Sequence, residues 1–545
     1  MKRRPSLGDR LAFVLARAHS KRVYQRFVAA TQRASAVQAD VLRKLLRANA
    51  DSRFGRDHHF DTVATPEDFI RKTPLRDYEG HRSYIESVKA GDTSALFGPR
   101  QKVLMFALSS GSTDQPKYIP VTRDFLAGYR AGWNAFGIKA LLDHPHAFLR
   151  EIVQVSSRMD ESRTAAGVPC GSISGLMAAT QKRLVRRYYI APPAVAEIDD
   201  SESKYYTIMR LAVPRDVAFM ITASPATQLK LVETANRHRE TLIRDVRDGT
   251  LSEQFQIPDA IRNAIRSRLK ADRDSAARLE RIVSDAGALL PKDYWSLAFV
   301  ANWTGGTMGL YLDSFAPYFG KTPVRDIGLL ASEGRISIPI EDGTPAGILD
   351  VTHQFFEFIP ADQQDEDQPT TYRFDQLEVG REYSVVLTNA AGLYRYRLGD
   401  VVRVVDYFHQ APVIEFLNKG CQVSSLSGEK LTEHQIVSAM DRAARQLGRR
   451  IATFVMAPHW GRTPCYTLHI EDEPGYSASF RDQLVAELDR QLSCCNIEYA
   501  AKRSSGRLGA LRLNVVPPRF LKQRDEHAAQ RFRKGNEQFK RRFLL

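Results

Sequence analysis

Apolar residues in AVQADVLRKLLRANADSRFG, Ala36 to Gly55, recur at helical spacing and predict an amphipathic helix with the glycine as its stop. The rest of the first hundred residues reads as helix too. Beyond them the texture changes: KVLMFAL, VAFMIT, SLAFVANW and RDIGLLA are short unbroken apolar runs, some with helical stretches between them. Such runs fit strands buried on both faces of a mixed sheet, so a large α/β domain is expected. From Gly347 to about Phe416 the pattern becomes short alternating strands separated by turn residues, which predicts a β-subdomain or small barrel. Inside it PADQQDEDQPTT is acidic and flanked by prolines, the texture of a mobile surface loop.

After NKGCQVSSLSGEK the order is helix (TEHQIVSAMDRAARQLG), strands (IATFVMA, YTLHI), helix (SFRDQLVAELDRQLS) and strand (ALRLNVV), a small α+β domain. The expected division is a large domain over 1–417, a hinge over 418–428 and a small mobile domain over 429–545. Two domains also suit 545 residues, because single cores stop growing near about 250 to 300.

Composition adds little to this picture but removes several classes. At 43% hydrophobic and 26% charged, the chain has neither the charge excess of disorder nor the apolar excess of a membrane protein. No run of about 18 apolar residues is present to span a bilayer. The start is basic, but Arg17, His19, Lys21 and Arg22 interrupt its apolar residues, so no signal peptide is read. An amphipathic helix packed on the body is preferred there over a reversible contact with an anionic membrane. Cys170, Cys421, Cys465, Cys494 and Cys495 show no CxxC pairing, which points to a reducing compartment, the cytoplasm, and to no thiol-held metal. The net charge of +15 raises nucleic-acid binding as an alternative, yet no zinc-finger, helix-turn-helix or RNP motif accompanies it.

Chemistry concentrates in three places. FALSSGSTDQPKYIPVT follows an apolar run with backbone N–H groups freed by Gly111, hydroxyls at Ser109, Ser110, Ser112 and Thr113, and an ammonium at Lys117. That set makes a phosphate cradle, or simply a surface turn, since the same residues favour loops. It is no Walker A loop, because Gln115, Pro116 and Tyr118 stand where the second glycine and the hydroxyl belong. In LLASEGR a strand is expected to end in Ser332 and Glu333, where a carboxylate can hold Mg²⁺ or only be solvated. In GLYRYRLGD, Asp400 can accept two ribose hydroxyls or form a turn after Gly399.

Taken in this order, the three segments resemble the Gretchen Hagen three family of acyl acid amido synthetases, often labelled auxin-responsive, in the acyl-adenylate-forming superfamily. Ser109 to Pro120 matches its hydroxyl-rich loop before a lysine, ASEG its Ser-Glu, and Tyr394 to Asp400 its Tyr-Arg-x-Arg-x-Gly-Asp. LIRDVRDGTLS, WTGGTMGLY, FFEFIP, GEKLTE and EQFKRRF extend the likeness from about Asp40 to the C-terminal segment. The resemblance implies a two-step reaction using ATP and Mg²⁺. A carboxylic acid becomes an acyl adenylate with loss of pyrophosphate; the small domain then rotates, and an amine, usually of an amino acid, yields an amide and AMP. By the same likeness Ser109, Ser110, Gly111, Ser112, Thr113 and Lys117 hold phosphates, and Thr304 and Gly305 lie near adenine and the acyl group. Ser332 and Tyr394 belong to the nucleotide site, Glu333 binds Mg²⁺ or phosphate, and Asp400 binds ribose. Lys430 and Lys540 enter from the small domain, Lys540 in the adenylation step.

The sequence departs from the family pattern at Asp114, in the phosphate loop, and at Arg541 and Arg542 beside Lys540, which is expected on a mobile tail. Two further readings therefore stay open: an acyl-CoA or carrier-thioester synthetase sharing the first step, and a non-catalytic acyl-AMP binder. GVPCGSISG lacks the G-x-S-x-G spacing of a hydrolase and is read as a loop beside the acyl pocket. The histidines of DHPH and DHH are read as surface turns, not zinc ligands. The aromatics of FLAGYRAGWNAF are either core or the wall of an acyl pocket. The acyl acid and the amine are not legible, and no nucleic-acid partner or membrane insertion is expected.

Overall fold

The periodic N-terminal stretch folds into successive helices, Leu7–Thr31, Ala34–Asn49, Arg53–Asp57, Pro66–Lys72 and Tyr78–Lys89. The computed structural model describes residues 7–109, 116–308, 312, 314–420, 423–424, 426, 429, 431–460, 463–505, 508–531 and 542–545. Gly55 is not the predicted stop. It lies inside Arg53–Asp57, where Ser52 Oγ accepts its N–H at 2.9 Å and a Cβ would meet the Ala50 carbonyl at 2.7 Å. The glycine is there for close approach to the end of the preceding helix. The N-terminal helix docks by its far end, where Phe27 and Thr31 are buried and Thr31 Oγ1 meets His409 Nδ1 at 2.9 Å.

The chain divides into two compact units: Met1–Met308, Leu312–Leu398 and Val402–Phe416 in one, and Gly309–Tyr311, Gly399–Val401 and Leu417–Leu545 in the other. In the first unit, Glu151–Gln154, Val217–Ile221, Phe299–Asn302 and Val324–Asp326 form a four-stranded sheet, parallel throughout. Helices around it bury a core that includes Met209, Leu231, Leu242 and Leu279. KVLMFAL does not join this sheet. Its strand, Val103–Ser109, pairs antiparallel with Lys117–Thr122 and parallel with Pro169–Gly171 in a second sheet. An unbroken apolar run marks burial on both faces but carries no information about its partner.

The alternating segment becomes a seven-stranded sheet in the order Ser337–Ile338, Gly347–Leu349, Ala411–Lys419, Tyr396–Phe408, Glu382–Thr388, Phe355–Pro360, Tyr372–Arg373. The acidic loop on its rim is tied down: Arg397 donates to the carbonyls of Glu366 (2.9 Å) and Asp367 (3.2 Å). Gln368 makes two more bonds to the backbone of Leu75, at 3.1 and 3.2 Å. The main chain carbonyls, not the acidic side chains, are what the arginine reads.

The second unit packs Glu433–Gln446 and Ala478–Cys495 on a three-stranded sheet of Phe454–His459, Cys465–Glu471 and Arg512–Val516. Its last residues are anchored. Phe543 is buried against Phe454, its carbonyl accepts Met456 N–H at 2.7 Å, and Glu433 Oε2 accepts Phe543 N–H at 3.0 Å. Phe543 to Leu545 are therefore held in place, whereas the part of the tail that carries Lys540 lies outside the described residues. No helix among the described residues is long and apolar enough to cross a membrane.

Candidate active site

Ser109 and Lys117 face each other as the last register pair of their antiparallel strands, at one end of the sheet. Tyr78 Oη accepts the N–H of Tyr118 at 2.9 Å and pins that end to helix Tyr78–Lys89. Lys117 Nζ lies 5.7 Å from the centre of the Tyr78 ring. Ser110, Gly111, Ser112, Thr113 and Asp114 lie outside the described residues, as do Lys430 and Lys540.

Ser332 and Glu333 do not end a strand of the parallel sheet. Leu330–Ala331 and Gly334–Arg335 pair antiparallel, and the two residues are the turn of this small hairpin. Ser332 Oγ reaches the carbonyl of Leu108, in the strand Val103–Ser109, at 3.5 Å. The Glu333 carbonyl accepts Asn389 Nδ2 at 2.6 Å, and Gln354 Nε2 donates to the Arg335 carbonyl at 2.5 Å. A Cβ on Gly334 would overlap Gln354 Oε1, so only glycine lets this amide lie against the turn. The hairpin is short, but its backbone is bound on both sides of Glu333.

The residue that joins the first two segments was missed in the sequence. Tyr396 Oη donates to Glu333 Oε1 at 3.3 Å and accepts Lys117 Nζ at 3.5 Å. Tyr394, the tyrosine carried over from the resemblance, is instead wholly buried, stacked on Phe54 at 4.7 Å and edge-on to Phe60 at 4.9 Å. Arg395 between them explains the exchange. It has φ 46°, a left-handed conformation that a non-glycine residue holds only when its surroundings impose it. Its guanidinium pairs with buried Glu357 at 2.7 Å and donates to the carbonyls of Ile70 (2.7 Å) and Thr73 (2.6 Å). Strand alternation begins only after this kink, and it delivers Tyr396 to the site. Burial first, and then the neighbouring Glu333 carboxylate, push the Tyr396 phenol well above its ordinary range, so it is a neutral donor.

Thr304 has a different engagement from the one expected. Its N–H and Oγ1 both donate to Asp326 Oδ2 at 2.6 Å, and Asp326 Oδ1 accepts Gly328 N–H at 2.5 Å. Burial raises the Asp326 carboxyl to about 6 although these bonds pull it down. Gly305 follows in a turn where a Cβ would lie 3.1 Å from Trp303 Nε1. In the second unit, buried Asp400 accepts Lys419 Nζ at 2.7 Å, so its carboxylate already carries a cation partner.

Under helix Arg123–Asp143, Arg335 is buried with its guanidinium 4.8 Å from the Trp133 ring and 5.4 Å from Phe136. Nη2 donates to the Ile327 carbonyl at 2.7 Å, whereas Nε and Nη1 have no hydrogen-bond partner. Burial lowers its pKa to about 10. The aromatics of this helix thus divide: Phe125, Tyr129 and Phe136 are core, and half-buried Trp133 covers the arginine.

GVPCGSISG is not a loop but a strand, Pro169–Gly171, and a helix, Ile173–Ala179. Its glycines allow main chains to touch: a Cβ on Gly175 would meet Ser157 O at 2.5 Å and Met159 N at 2.6 Å. The histidine pairs are each split, with His59 and His146 exposed and the other member packed inward. His58 is buried and stacked on Phe54 at 4.1 Å, and His144 Nε2 bonds Asp342 Oδ2 at 2.8 Å. Among the described residues no group of three or more His, Cys, Asp or Glu forms a metal cage. Glu333 nevertheless suits Mg²⁺, which takes hard oxygens and is commonly held by one or two carboxylates together with substrate phosphates.

An α/β unit that presents a lysine-ended hairpin loop against a carboxylate-bearing turn has the fold of the acyl acid amido synthetases. The solved structure of the GH3.15 acyl acid amido synthetase superimposes with a TM-score of 0.83 at 19% identity, covering 96% of this chain and 93% of that one. AtGH3.15 in complex with 2,4-DB gives 0.85 at 18% identity, covering 97% and 94%. The GH3 family N-terminal domain matches residues 23–324, the central domain 347–419 and the C-terminal domain 434–545. The chain belongs to the GH3 family. Among curated relatives, jasmonoyl–L-amino acid synthetase JAR6 of Nicotiana attenuata is 23% identical over 526 residues, 91% of this chain and 88% of that protein. Indole-3-acetic acid-amido synthetase GH3.10 of Arabidopsis thaliana is 23% identical over 537 residues, 89% and 88%.

Proposed function

We propose that this protein is an ATP-dependent acyl acid amido synthetase acting on a small carboxylic acid and an amino acid. In the first step a carboxylate oxygen attacks the α-phosphorus of ATP, the bond to the β-phosphate oxygen breaks and pyrophosphate leaves. In the second the amine nitrogen attacks the acyl carbon, the bond to AMP breaks and the amine gives up a proton. The observation that carries this reading is the meeting of Lys117 and Glu333, from separate segments, at one buried phenol.

Neither step needs an enzymic nucleophile; each needs alignment and compensation of charge. Lys117, a compact point charge at the mouth of the hydroxyl-rich loop, would take a phosphate oxygen, and Ser109 at the opposite strand end would help to bound it. Glu333 would hold Mg²⁺, which supplies neutralisation of phosphate charge. Asp326 holds Thr304 and thereby sets the turn at Gly305, expected beside adenine and the acyl group. Asp400 would accept ribose hydroxyls beside its Lys419 partner. Lys430 and Lys540 are assigned to the small domain's part in the two steps, with 418–428 as hinge and the cytoplasm as location.

The test is a screen of acids with ATP and hydroxylamine, which traps acyl adenylates as hydroxamates. Lys117→Met and Glu333→Gln are each expected to lower the signal at least about 100-fold for every acid, the scale of losing one charged transition-state contact. Amino acids, and not thiols, should stimulate pyrophosphate release. Unchanged turnover in both variants would remove the basis of the assignment.

A further inference from the structure

A lysine beside a glutamate in a buried setting ordinarily forms an ion pair, and such a pair would consume both charges the proposed reaction requires. Here the two groups do not pair with each other. Glu333 is buried, Lys117 is half-buried, and each is bonded to Tyr396 Oη instead, at 3.3 and 3.5 Å. The directions of these bonds are fixed by chemistry. An ammonium only donates and a carboxylate only accepts, whereas a phenol does both once, so Tyr396 accepts a hydrogen bond from Lys117 and donates one to Glu333.

The phenol itself has little freedom. Its ring is wholly buried and edge-on to His81 at 5.7 Å, and Tyr396 forms a bridge with Arg76, whose carbonyl accepts the N–H of Arg397 at 2.8 Å. The Glu333 backbone is held by Asn389 at 2.6 Å. Both sides of the phenol–carboxylate contact are thus anchored, and Lys117 is the member at the last register pair of its two strands.

We propose that Tyr396 is a positioning residue that keeps Lys117 and Glu333 from neutralising each other. Lys117 can then leave the phenol for a phosphate oxygen, while the phenol goes on holding one oxygen of Glu333 and leaves the other for a divalent cation. The inference rests on the adenylation proposed above. It concerns a residue that neither the family matches nor the sequence reading singled out.

The experiment is calorimetric titration of the full chain with ATP, in the presence of Mg²⁺ and in the presence of a chelator, for wild type, Tyr396→Phe, Glu333→Gln and the double variant. The phenylalanine keeps the ring, and thermal unfolding of each variant reports any loss of packing. Tyr396→Phe is expected to weaken Mg²⁺–ATP about tenfold, the scale of one hydrogen bond to a charged group. Metal-free ATP binding should weaken too, but by less, because Lys117 is lost to Glu333 in either case whereas the Glu333 oxygen left for the cation counts only with Mg²⁺. In the Glu333→Gln background the same substitution should have less than about a twofold effect, because no carboxylate remains for Lys117 to collapse on. Equal weakening with and without Mg²⁺, or a full tenfold effect in the Glu333→Gln background, would overturn the inference. Full affinity in Tyr396→Phe, with loss in Glu333→Gln, would overturn it while leaving the proposed function standing. Failure of the wild type to bind Mg²⁺–ATP would overturn both.

Discussion

His81 makes the stability of the large unit sensitive to acid in a way that can be isolated. The imidazole is wholly buried; Nδ1 donates to the Asp77 carbonyl at 2.9 Å and Nε2 accepts the Tyr394 N–H at 3.2 Å. Both nitrogens are committed to the neutral ring. Burial lowers the pKa from 6.5 to about 4. The folded chain therefore takes up this proton only near pH 4, whereas the unfolded chain takes it up near 6.5, so stability is lost as pH falls between those values. At 1.36 kcal/mol per pH unit, the expected loss between pH 7.5 and 4.5 is about 2.5 kcal/mol. His81→Gln keeps an acceptor where Nε2 stands and cannot titrate. Urea unfolding followed by fluorescence of Trp133, Trp295 and Trp303 should show the variant losing about 2.5 kcal/mol less than wild type over that range. All other titrating groups cancel in the comparison. Parallel pH curves for the two proteins would refute the account of His81 as a buried neutral acceptor.

Gly175→Ala should destabilise the large unit by about 1–3 kcal/mol, read as a lower urea midpoint, because the new methyl meets backbone of Ser157 and Met159 that no rotamer can move aside. Phe543→Ala should cost about 3–5 kcal/mol in the small unit. Amide exchange in the full chain should then accelerate in Phe454–His459 while the parallel sheet of the large unit is unaffected. Lys419→Met leaves buried Asp400 without its cation, and the variant should raise the KM for ATP more than it lowers kcat, measured with saturating acid.

The layers of this fold were legible where burial alone sets the pattern. Helical spacing located the N-terminal helices, unbroken apolar runs located the parallel strands Val217–Ile221 and Phe299–Asn302, and alternation located most of the seven-stranded sheet. What sequence could not carry was pairing. KVLMFAL has the same burial in either sheet, and the antiparallel pairing of Leu330–Ala331 with Gly334–Arg335 depends on side-chain amides from Gln354 and Asn389, distant in the chain. Motif likeness pointed to the segment Tyr394 to Asp400, but not to the backbone turn that brings Tyr396 rather than Tyr394 to Lys117 and Glu333. A left-handed arginine, stabilised by a glutamate from another strand, shifts the alternation by one, and no local pattern announces it. The glycines at 55, 171, 175 and 334 are similar: each is required by a neighbouring main chain or amide that only the tertiary structure brings close.

The crowding at Gly334 bears on how this enzyme's acid preference can change by mutation. Any wider residue there displaces the Gln354 amide, and with it the support for the turn that carries Glu333. A library aimed at new acids should therefore hold 334, 354 and 389 constant.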